Sequence, residues 1–401
     1  MLKLADDLNR RLEPQERFEQ ILSSAFRRFG KAVVDLSYAN FYEGPGKPVL
    51  EALERAIADD RILALQYTPY GGRTVTRRLI ATSLTEEYGL PFNYQHVILT
   101  PGATAALNMV FRTLFGPGEE VLLPTPCWHD YAVYLSNLGI SIRTVPLAQN
   151  KHLDLEAIAL ATGPNTRGIV LSQPCCPTGV VYSKNELAEL AKLLTEAEQR
   201  FQTAIYLVSD EVHRHIVWSG AEVYSPLLSY PRSLTIYSFG KALFIQGQRI
   251  GYVAVSPQMP EDRRLAKQLE QCERIMGYGA PTSLMQRAIC DLIEYRPPLD
   301  LLARRQREAR RKLKDSGFEL CDGEATCFVY VKSPMADDFA FVERLAARGV
   351  LVLPSSVFLE AGHLRVSLTA RGEAITRGVE AMGEVLQDAR TSPSNREACE
   401  R

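Results

Sequence analysis

The run LTIYSFGKALFIQGQRIGYVA places a lysine and an arginine eight residues apart, directly after a predicted strand. Lys241 lies in an otherwise apolar strand exit, where a lysine is unusual unless its amine has a task. One such task is a Schiff base to a carbonyl, which requires a partly desolvated amine. Asp210 ends another β-rich run, at the end of a strand where α/β proteins bind ligands. Lys241 alone is uninformative, although its position is compatible with carbonyl chemistry, and Asp210 alone also fits a helix cap or a surface acid.

Further polar motifs follow one another along the chain. In TPGATAALNMVF, the residues Gly102, Ala103 and Thr104 open a predicted helix, whose unpaired N–H groups favour an anion. Taken singly, each of the other motifs also fits an ordinary core or surface role. They are Tyr67 in YTPYGG, Trp128 in PTPCW, Cys176 in QPCCPTG, His213 in DEVH, Ser238 in SFGK, and Arg365 in HLRVSLT.

In this order the motifs resemble those of the fold-type I pyridoxal-phosphate enzymes, and within them the class I/II aminotransferases of the aspartate aminotransferase superfamily. The resemblance covers roughly residues 34 to 385. It implies pyridoxal 5'-phosphate held as a Schiff base by Lys241, which would also move a proton through a quinonoid carbanion. Asp210 would pair with the ring nitrogen. Arg249 would bind the phosphate and Arg365 the substrate α-carboxylate, each through its forked guanidinium.

The remaining cofactor contacts are also implied by the resemblance. Trp128 would stack on the pyridine ring, Ser238 would add a hydroxyl to the phosphate, and Tyr67 would reach the phosphate of a neighbouring subunit. The other positions that match the family's cofactor contacts are Gly102, Ala103, Thr104, Cys176 and His213. We therefore expect a homodimer with shared active sites.

Three positions depart from the family pattern. Cys176 stands where the family has Asn in NPTG, and His213 stands where many members have Tyr. Both usual donors to the phenolic oxygen of the cofactor are changed, and a thiol is a weak donor, so the phenolate should be less stabilised unless His213 takes over. Alternatively, Cys176 fills space and His213 is a satisfied neighbour. Gly240 replaces the second Ser of SxSK, which removes one phosphate contact.

The segment DLSYANFYEG, residues 35–44, is expected near the substrate. Tyr38, Tyr42 and Glu43 are candidates for contacting a substrate side chain. Glu43 would favour a cationic one, although a solvated loop acid is the alternative. The sequence shows no convincing arginine for a second substrate carboxylate, so the amino donor stays open.

Transamination of an L-amino acid is the primary prediction. The DEVH run also resembles the cysteine–sulfur lyase branch of the fold, so a lyase (C–S, β- or γ-elimination) or a specialised amino-acid cyclase or oxidase is the alternative. All of these need Lys241, Asp210 and Arg365. A transcription regulator with this fold would carry a basic winged-helix module, and only about 33 residues precede the first family-like strand.

Composition excludes several other classes. The 401 residues contain 46 Lys plus Arg and 47 Asp plus Glu, so no electrostatic footprint indicates a nucleic-acid or membrane partner, and amino and keto acids are expected instead. The eight cysteines form no CxxC pair, which indicates reduced thiols. His213 and His215 are a weak metal pair, and no metal is predicted. Asp6 and Asp7 stand where a signal peptide would be apolar, so a cytoplasmic location is predicted.

Short β-branched runs alternate with amphipathic stretches, as in βαβ units, and predict an α/β fold with a mostly parallel sheet. A smaller α+β part follows EYRPPLD. The resemblance implies a large domain over residues 45–295 and a small domain from 1–44 and 296–401, with a frayed tail over 389–401. The predicted strands are 96–100, 120–123, 167–172, 205–209, 234–238, 250–256, 326–331 and 363–368. The predicted helices are 103–115, 183–199, 260–275 and 301–315.

Overall fold

A computed structural model describes residues 6–59 and 65–391 of the chain. Helices and strands alternate through most of it. The strands are β1 (Val34–Leu36), β2 (Val97–Thr100), β3 (Glu120–Thr125), β4 (Ser141–Pro146), β5 (Thr166–Ser172), β6 (Tyr206–Asp210), β7 (Ser233–Ser238), β8 (Gly251–Val255), β9 (Phe328–Lys332), β10 (Val350–Pro354) and β11 (His363–Ser367). The α-helices are α1 (Asp6–Phe29), α2 (Lys47–Ile57), α3 (Thr74–Tyr88), α4 (Ala103–Leu114), α5 (Asp130–Asn137), α6 (Leu155–Ala161), α7 (Lys184–Phe201), α8 (Phe239–Ala242), α9 (Asp262–Met276), α10 (Ser283–Cys290), α11 (Asp300–Asp315), α12 (Asp338–Ala346) and α13 (Gly372–Thr391).

The larger sheet has the strand order β2-β8-β7-β6-β5-β3-β4. Its strands are parallel except β8, which runs antiparallel to both of its neighbours. Successive residues of a strand point to opposite faces, so Ile98 packs with α4 and α9 while Leu99 packs with α3 and α10. Helices α6 and α7 cover a further part of the sheet. The predicted α/β fold with a mostly parallel sheet is confirmed.

The smaller sheet has the order β1-β10-β11-β9. Strand β1 comes from near the start of the described chain, yet it pairs in parallel with β10, Val34 opposite Val350. Helices α11, α12 and α13 enclose the core of this sheet. Helix α1 contacts α5 of the larger unit and both α12 and β10 of the smaller one. The N-terminal segment therefore joins the C-terminal part and links it to the larger sheet.

Each predicted strand and helix is present, with its ends within two residues of the expected positions. Strand β9 begins two residues later than predicted because Thr326 has a left-handed φ of 69°. Helix α9 begins after Glu261, whose φ is 61°, and not at Pro260. Strand β1 begins at Val34, where the first family-like strand was expected, whereas the edge strand β4 and strand β10 were not predicted. Helix α13 extends to Thr391, and the rest of the predicted frayed tail lies outside the described residues.

Three polar residues end neighbouring parallel strands of the larger sheet. Ser172 closes β5, Asp210 closes β6 and Ser238 closes β7, and Ser172 lies directly opposite Asp210 in the ladder. The carboxyl ends of parallel strands share one edge, which is where open α/β sheets bind ligands. Among the described residues, no helix has the length and apolar character needed to cross a membrane.

Candidate active site

A cavity of about 270 Å³ opens at this edge, between the two sheets. The larger sheet contributes Asp210 and Ser238, and the smaller one contributes Phe328 and Arg365. Most of the residues selected from the sequence line this one space. They are Tyr38, Ala103, Thr104, Trp128, Cys176, Asp210, His213, Ser238, Lys241, Arg249 and Arg365.

Asp210 is a buried carboxylate with no cationic partner among the described residues. Its Oδ2 accepts a hydrogen bond from the Tyr131 hydroxyl at 2.6 Å, and its Oδ1 accepts one from the Val212 backbone at 3.3 Å. Burial raises the pKa of Asp210 to about 6, while the Tyr131 hydrogen bond opposes that rise. A cation placed against Asp210 would remove this penalty, so the site is prepared for a positively charged group.

A second buried carboxylate fixes the chain just after Asp210. Glu211 Oε1 accepts hydrogen bonds from the hydroxyls of Ser209, Ser225 and Thr235, at 3.0, 2.6 and 3.1 Å. The Arg214 guanidinium lies 3.5 Å from Glu211 and balances its charge. Because Glu211 is fully engaged on the far side of the strand, it holds β6 in place without competing for the cavity.

Lys241 lies on α8, whose first turn is capped by the Ser238 side chain accepting from the Gly240 N–H. Burial lowers the pKa of the Lys241 amine. Within the described chain, Lys241 forms neither an ion pair nor a hydrogen bond through its amine. A desolvated amine without a protein partner is a suitable nucleophile for a carbonyl.

An anion site is formed where Arg249 approaches the N-terminus of α4. The first N–H groups of a helix have no intrahelical partner, and the residue before α4, Gly102, supplies no side-chain cap. Gly102 has a φ of +90°, and a Cβ there would lie 2.6 Å from Arg249 Nη2. Arg249 donates to the Gln246 carbonyl at 2.7 Å, which orients its guanidinium. Backbone donors, the helix dipole and one arginine thus converge on a space suited to a phosphate.

Arg365 is 1% exposed and has no carboxylate partner in the part of the chain that is described. Its guanidinium lies between two aromatic rings, 4.0 Å from the centroid of Phe328 and 4.7 Å from that of Phe358. Nη2 donates to the Ser37 carbonyl at 3.0 Å, and Nη1 lies 3.9 Å from Cys176 Sγ. A buried guanidinium without an anionic partner is suited to pair with a carboxylate that enters the cavity.

Cys176 and His213 both line the cavity. Burial raises the pKa of the Cys176 thiol to about 11, so the thiol is neutral near pH 7. Burial lowers the pKa of His213 well below its usual value, which keeps the ring neutral. The His213 ring contacts Phe328 edge-on, and its Nδ1 is buried without a hydrogen-bond partner among the described residues. Two neutral and weakly engaged groups therefore face the cavity where the family has an amide and a phenol.

The three candidates for substrate side-chain contact have different outcomes. Tyr38 lines the cavity, and its hydroxyl donates to Glu19 of α1 at 2.6 Å. For Glu43 the alternatives were contact with a cationic substrate and a solvated loop acid, and the structure instead pairs this carboxylate with both Nη atoms of Arg305. Tyr42 is 53% exposed and packs under Arg371. Only Tyr38 of the three therefore borders the cavity.

Tyr67 is fully exposed in the single chain and does not border the cavity. Gly102 does not border the cavity either, but it lies close to Arg249, whose Nη2 would be 2.6 Å from a Cβ at this position. Several residues that border the cavity were not predicted from the sequence, among them Tyr131, Gln246 and Phe328. Ser172 was also missed, although its position at the end of a strand beside Asp210 was a usable signal. The others reach the site through tertiary packing, which leaves no local pattern.

Comparisons with known proteins agree with this arrangement. Residues 31–382 match the sequence model of the family described as aminotransferase class I and II. The chain is 29% identical to the aspartate/prephenate aminotransferase of Thermus thermophilus, over 84% of this chain and 87% of that protein. An amino transferase structure from Eubacterium rectale superposes with a TM-score of 0.89 at 23% identity, covering 97% and 99% of the two chains. The N-succinyldiaminopimelate aminotransferase structure from Mycobacterium tuberculosis gives 0.82 at 24% identity, covering 96% and 100%.

Proposed function

Because the chain belongs to the aminotransferase class I and II family, we propose that it uses pyridoxal 5'-phosphate to move the α-amino group of an L-amino acid to a keto acid. The family match confirms the resemblance that the motif order indicated. One observation carries the proposal. Asp210, Lys241, Arg249 and Arg365 border one cavity, and within the described chain none of them has an ion-pair partner.

The residues present fit this cofactor. The carboxylate of Asp210 is buried without a cation and would receive one from a protonated pyridine nitrogen. Arg249 and the first residues of α4, whose N–H groups lack a side-chain cap, border the cavity together and fit a phosphate. His213, with its unpaired Nδ1, and Cys176, whose thiol is a weak hydrogen-bond donor, also line the cavity. The donor set thus matches an anionic, planar, nitrogen-containing ligand.

When bound, the cofactor supplies an electron sink for the electron pair released at the substrate Cα. Lys241 is proposed to hold the cofactor covalently at rest and then, freed by the substrate amine, to move the Cα proton. Its lowered pKa keeps a larger fraction of the amine unprotonated. Arg365 orients the substrate through the α-carboxylate, and Trp128 is proposed to stack on the ring.

A homodimer is proposed on the exposure of Tyr67, which is fully solvent-accessible in the single chain. In a homodimer, Tyr67 of one subunit would contact the cofactor phosphate that is bound in the other subunit. We also propose a large domain of residues 45–295 and a small domain of 1–44 and 296–401, as the resemblance implies. The pairing of β1 with β10 supports this division because it joins the N-terminal segment to the C-terminal part. A cytoplasmic location remains a prediction from the sequence.

The test is a half-reaction. The purified, cofactor-loaded protein is mixed with single amino acids and no keto acid, while spectrum, ammonia and products are followed together. Transamination predicts one keto acid per active site, no ammonia and a stop after one turnover. Continuous turnover without a keto acid would instead support elimination, cyclisation or oxidation, and would make Cys176 and His213 the residues to explain.

A further inference from the structure

Tyr67 lies on a loop that is exposed at one end and buried at the other. We name residues 67–73 the Tyr67 loop. The Tyr67 side chain is fully exposed, and that of Tyr70 is about half exposed. Gly71 and Gly72 are instead buried. The loop therefore presents an aromatic hydroxyl outward from a base that is fixed inside the subunit.

Gln286 of α10 binds this loop at two points. Its side chain is completely buried. Its Nε2 donates to Thr68 Oγ1 at 2.9 Å, and its Oε1 accepts from the Arg73 N–H at 2.8 Å. Nε2 also donates to the Pro281 carbonyl at 2.6 Å, which fixes the direction of the amide. One side chain thus bonds to the residue that follows Tyr67 and to the last residue of the loop.

The middle of the Tyr67 loop lies directly on strand β2. The Gly71 carbonyl accepts from the Leu99 N–H at 3.0 Å. Gly72 has a φ of +88°, and a Cβ there would overlap the Leu99 side chain, so glycine is required for this close approach. Because the middle of the loop is held on β2, the direction of its exposed end depends on the bond between Thr68 and Gln286.

The surroundings of the Tyr67 loop indicate a neighbouring subunit. Neither Gln286 nor any residue of the loop lines the cavity of its own subunit. Leu65, just before the loop, is exposed. Ile275, at the end of α9, is exposed as well, and the adjoining Arg274 lies 5.8 Å from the centroid of the Tyr70 ring. Exposed apolar groups that gather in this way mark protein-binding surfaces, and the proposed homodimer supplies a second copy of this chain.

We propose that Gln286 is a positioning residue for the active site of the neighbouring subunit. By holding Thr68 and Arg73, it sets the direction in which Tyr67 leaves its own subunit to donate to the cofactor phosphate bound in the other. The proposal rests on the proposed function and on its shared active sites. Gln286 contacts neither cofactor nor substrate, so its whole effect passes through Tyr67.

Two single variants and their combination test this dependence. Tyr67→Phe should raise the dissociation constant of pyridoxal 5'-phosphate at least about tenfold, as expected for a lost hydrogen bond to a charged group. Gln286→Leu should raise it by about threefold to tenfold, and the double variant should stay within about twofold of Tyr67→Phe, because both changes remove one contact. Absorbance titration of the cofactor-free protein measures these constants. Additive losses in the double variant would overturn the inference.

The same titration with pyridoxal, which lacks the phosphate, should show a change of less than about twofold in every variant. Equal losses for the two compounds would reduce Gln286 to a general structural role. Thr68→Val removes only one acceptor of the Gln286 amide and should weaken pyridoxal 5'-phosphate binding in the same direction. It keeps the inference testable if Gln286→Leu does not fold.

Gln173→Leu is the matched control. Gln173 is equally buried and also makes three bonds, from Nε2 to the Tyr182 and Tyr224 carbonyls and to Oε1 from the Tyr182 N–H. It does not line the cavity. Gln173→Leu should lower stability without changing the ratio of the two dissociation constants.

Mixed dimers distinguish an effect on the neighbouring site from an effect on the same subunit. A Lys241→Ala subunit is expected to attach no cofactor, so the visible absorbance reports only the other site. In a dimer of Gln286→Leu with Lys241→Ala, that site receives Tyr67 from a subunit with an intact Gln286, and its affinity should return to within about twofold of wild type. If both changes lie in one subunit and the other is wild type, the site should stay as weak as in the Gln286→Leu homodimer.

Each other outcome has a separate meaning. The reverse pattern in the mixed dimers would show that Gln286 acts within its own subunit, through β2, and would overturn the inference while the proposed transamination stands. A monomeric protein would overturn the inference together with the shared active sites. Failure of the wild-type protein to attach pyridoxal 5'-phosphate at all would overturn the proposed function itself.

Discussion

Tyr131 donates its hydroxyl hydrogen to Asp210 across 2.6 Å, although the two residues are 79 positions apart. Tyr131 is fully buried, on the first turn of α5, and Asp210 closes β6. This is the only side-chain hydrogen bond to Asp210 in the described structure, because Val212 contributes a backbone N–H. The strength with which Asp210 holds its negative charge therefore depends on one phenol, and that dependence can be measured.

Replacement of Tyr131 by Phe should weaken cofactor binding. Hydrogen bonds to charged groups contribute about 1.5–3 kcal/mol, and without this one the pKa of Asp210 should rise further above about 6. At 1.4 kcal/mol per factor of ten, the dissociation constant of pyridoxal 5'-phosphate should rise by about tenfold to a hundredfold. Absorbance titration of the cofactor-free protein measures this constant.

The control is Tyr230→Phe. Tyr230 is equally buried, but its hydroxyl donates to the Ile205 carbonyl, away from the cavity. Tyr230→Phe should reduce stability without changing cofactor affinity. An unchanged affinity in Tyr131→Phe would show that the bond to Asp210 does not support cofactor binding.

The pKa of Asp210 predicts how the stability of the cofactor-free protein depends on pH. Burial raises this pKa from 3.8 to about 6, so the folded protein retains a proton that the unfolded chain has lost. The free energy of unfolding should therefore fall as pH rises from about 4 to 6, by about 3 kcal/mol at 1.36 kcal/mol per pH unit. Asp210→Asn should remove this fall, which denaturant unfolding at several pH values would show.

Two other carboxylates serve as references for that experiment. Glu273, whose pKa is raised to about 7, contributes a similar fall in the free energy of unfolding. Because Glu273 is present in both the wild-type and the Asp210→Asn protein, its contribution cancels when the two are subtracted. Asp291 has a pKa lowered through hydrogen bonds from Arg287 and Arg55 despite the opposing effect of burial. Asp291→Asn should therefore act with the opposite sign, removing stability above about pH 4. A wild-type minus Asp210→Asn difference that stays flat between pH 4 and 6 would contradict the prediction.

The sequence predicted the ordered part of the site and missed the part made by packing. Lys241, Arg249 and Asp210 each lie in a short local motif, and the order of these motifs along the chain resembles the family's, so the resemblance was enough to select them. Tyr131 reaches Asp210 only because α5 packs on the larger sheet. Strand β1 is three residues long, and its parallel pairing with β10, more than 300 residues away, leaves no local pattern in the sequence. Local patterns record which residue types are present, whereas contacts between distant segments depend on the fold.

Two loop residues, Phe244 with its left-handed φ of 57° and Glu43 with its ion pair to Arg305, also have features that no local sequence pattern shows. A glycine in a turn indicates that a positive φ is possible there, whereas a phenylalanine gives no such indication. Glu43 looked like a free loop acid in sequence, and Arg305 lies 262 residues away. Loop residues whose conformation or partner depends on distant segments are therefore harder to predict from one sequence than residues that lie in ordered motifs.

Replacement of Gly102 by Ala should weaken binding of the cofactor phosphate. The new Cβ would lie 2.6 Å from Arg249 Nη2 and displace the guanidinium from the N-terminus of α4. Gly118→Ala is the matched control, because Gly118 has a nearly equal φ of +87° but no atom within 4 Å of a Cβ. Both variants should lose about 1–2 kcal/mol of stability through the left-handed backbone.

Only Gly102→Ala should also lose affinity, by at least about tenfold for pyridoxal 5'-phosphate and little for pyridoxal, which lacks the phosphate. Absorbance titration with the two compounds separates these effects. Equal affinity losses for both compounds would place the effect elsewhere in the site.

Replacement of Lys241 by Ala should abolish covalent attachment of the cofactor while the protein still folds. The amine is desolvated and forms no ion pair within the described chain, so its removal costs little stability. Borohydride treatment followed by mass spectrometry should give an adduct with the wild-type protein and none with the variant. Lys184→Ala, at a lysine that packs on Tyr224 outside the cavity, should retain the adduct. An adduct on Lys241→Ala would show that another lysine holds the cofactor.

Replacement of Cys176 by Asn should lower the pH at which the visible spectrum of the loaded protein titrates. The thiol is neutral, with its pKa raised to about 11, and is a weak donor, whereas an amide N–H would stabilise the ionised phenolic oxygen. Cys175→Ser is the control, since Cys175 is buried beside it but does not border the cavity. A shift confined to Cys176→Asn would place residue 176 against the phenolic oxygen. A titration that does not move would mean that Cys176 acts by packing and through its contact with Arg365, 3.9 Å away.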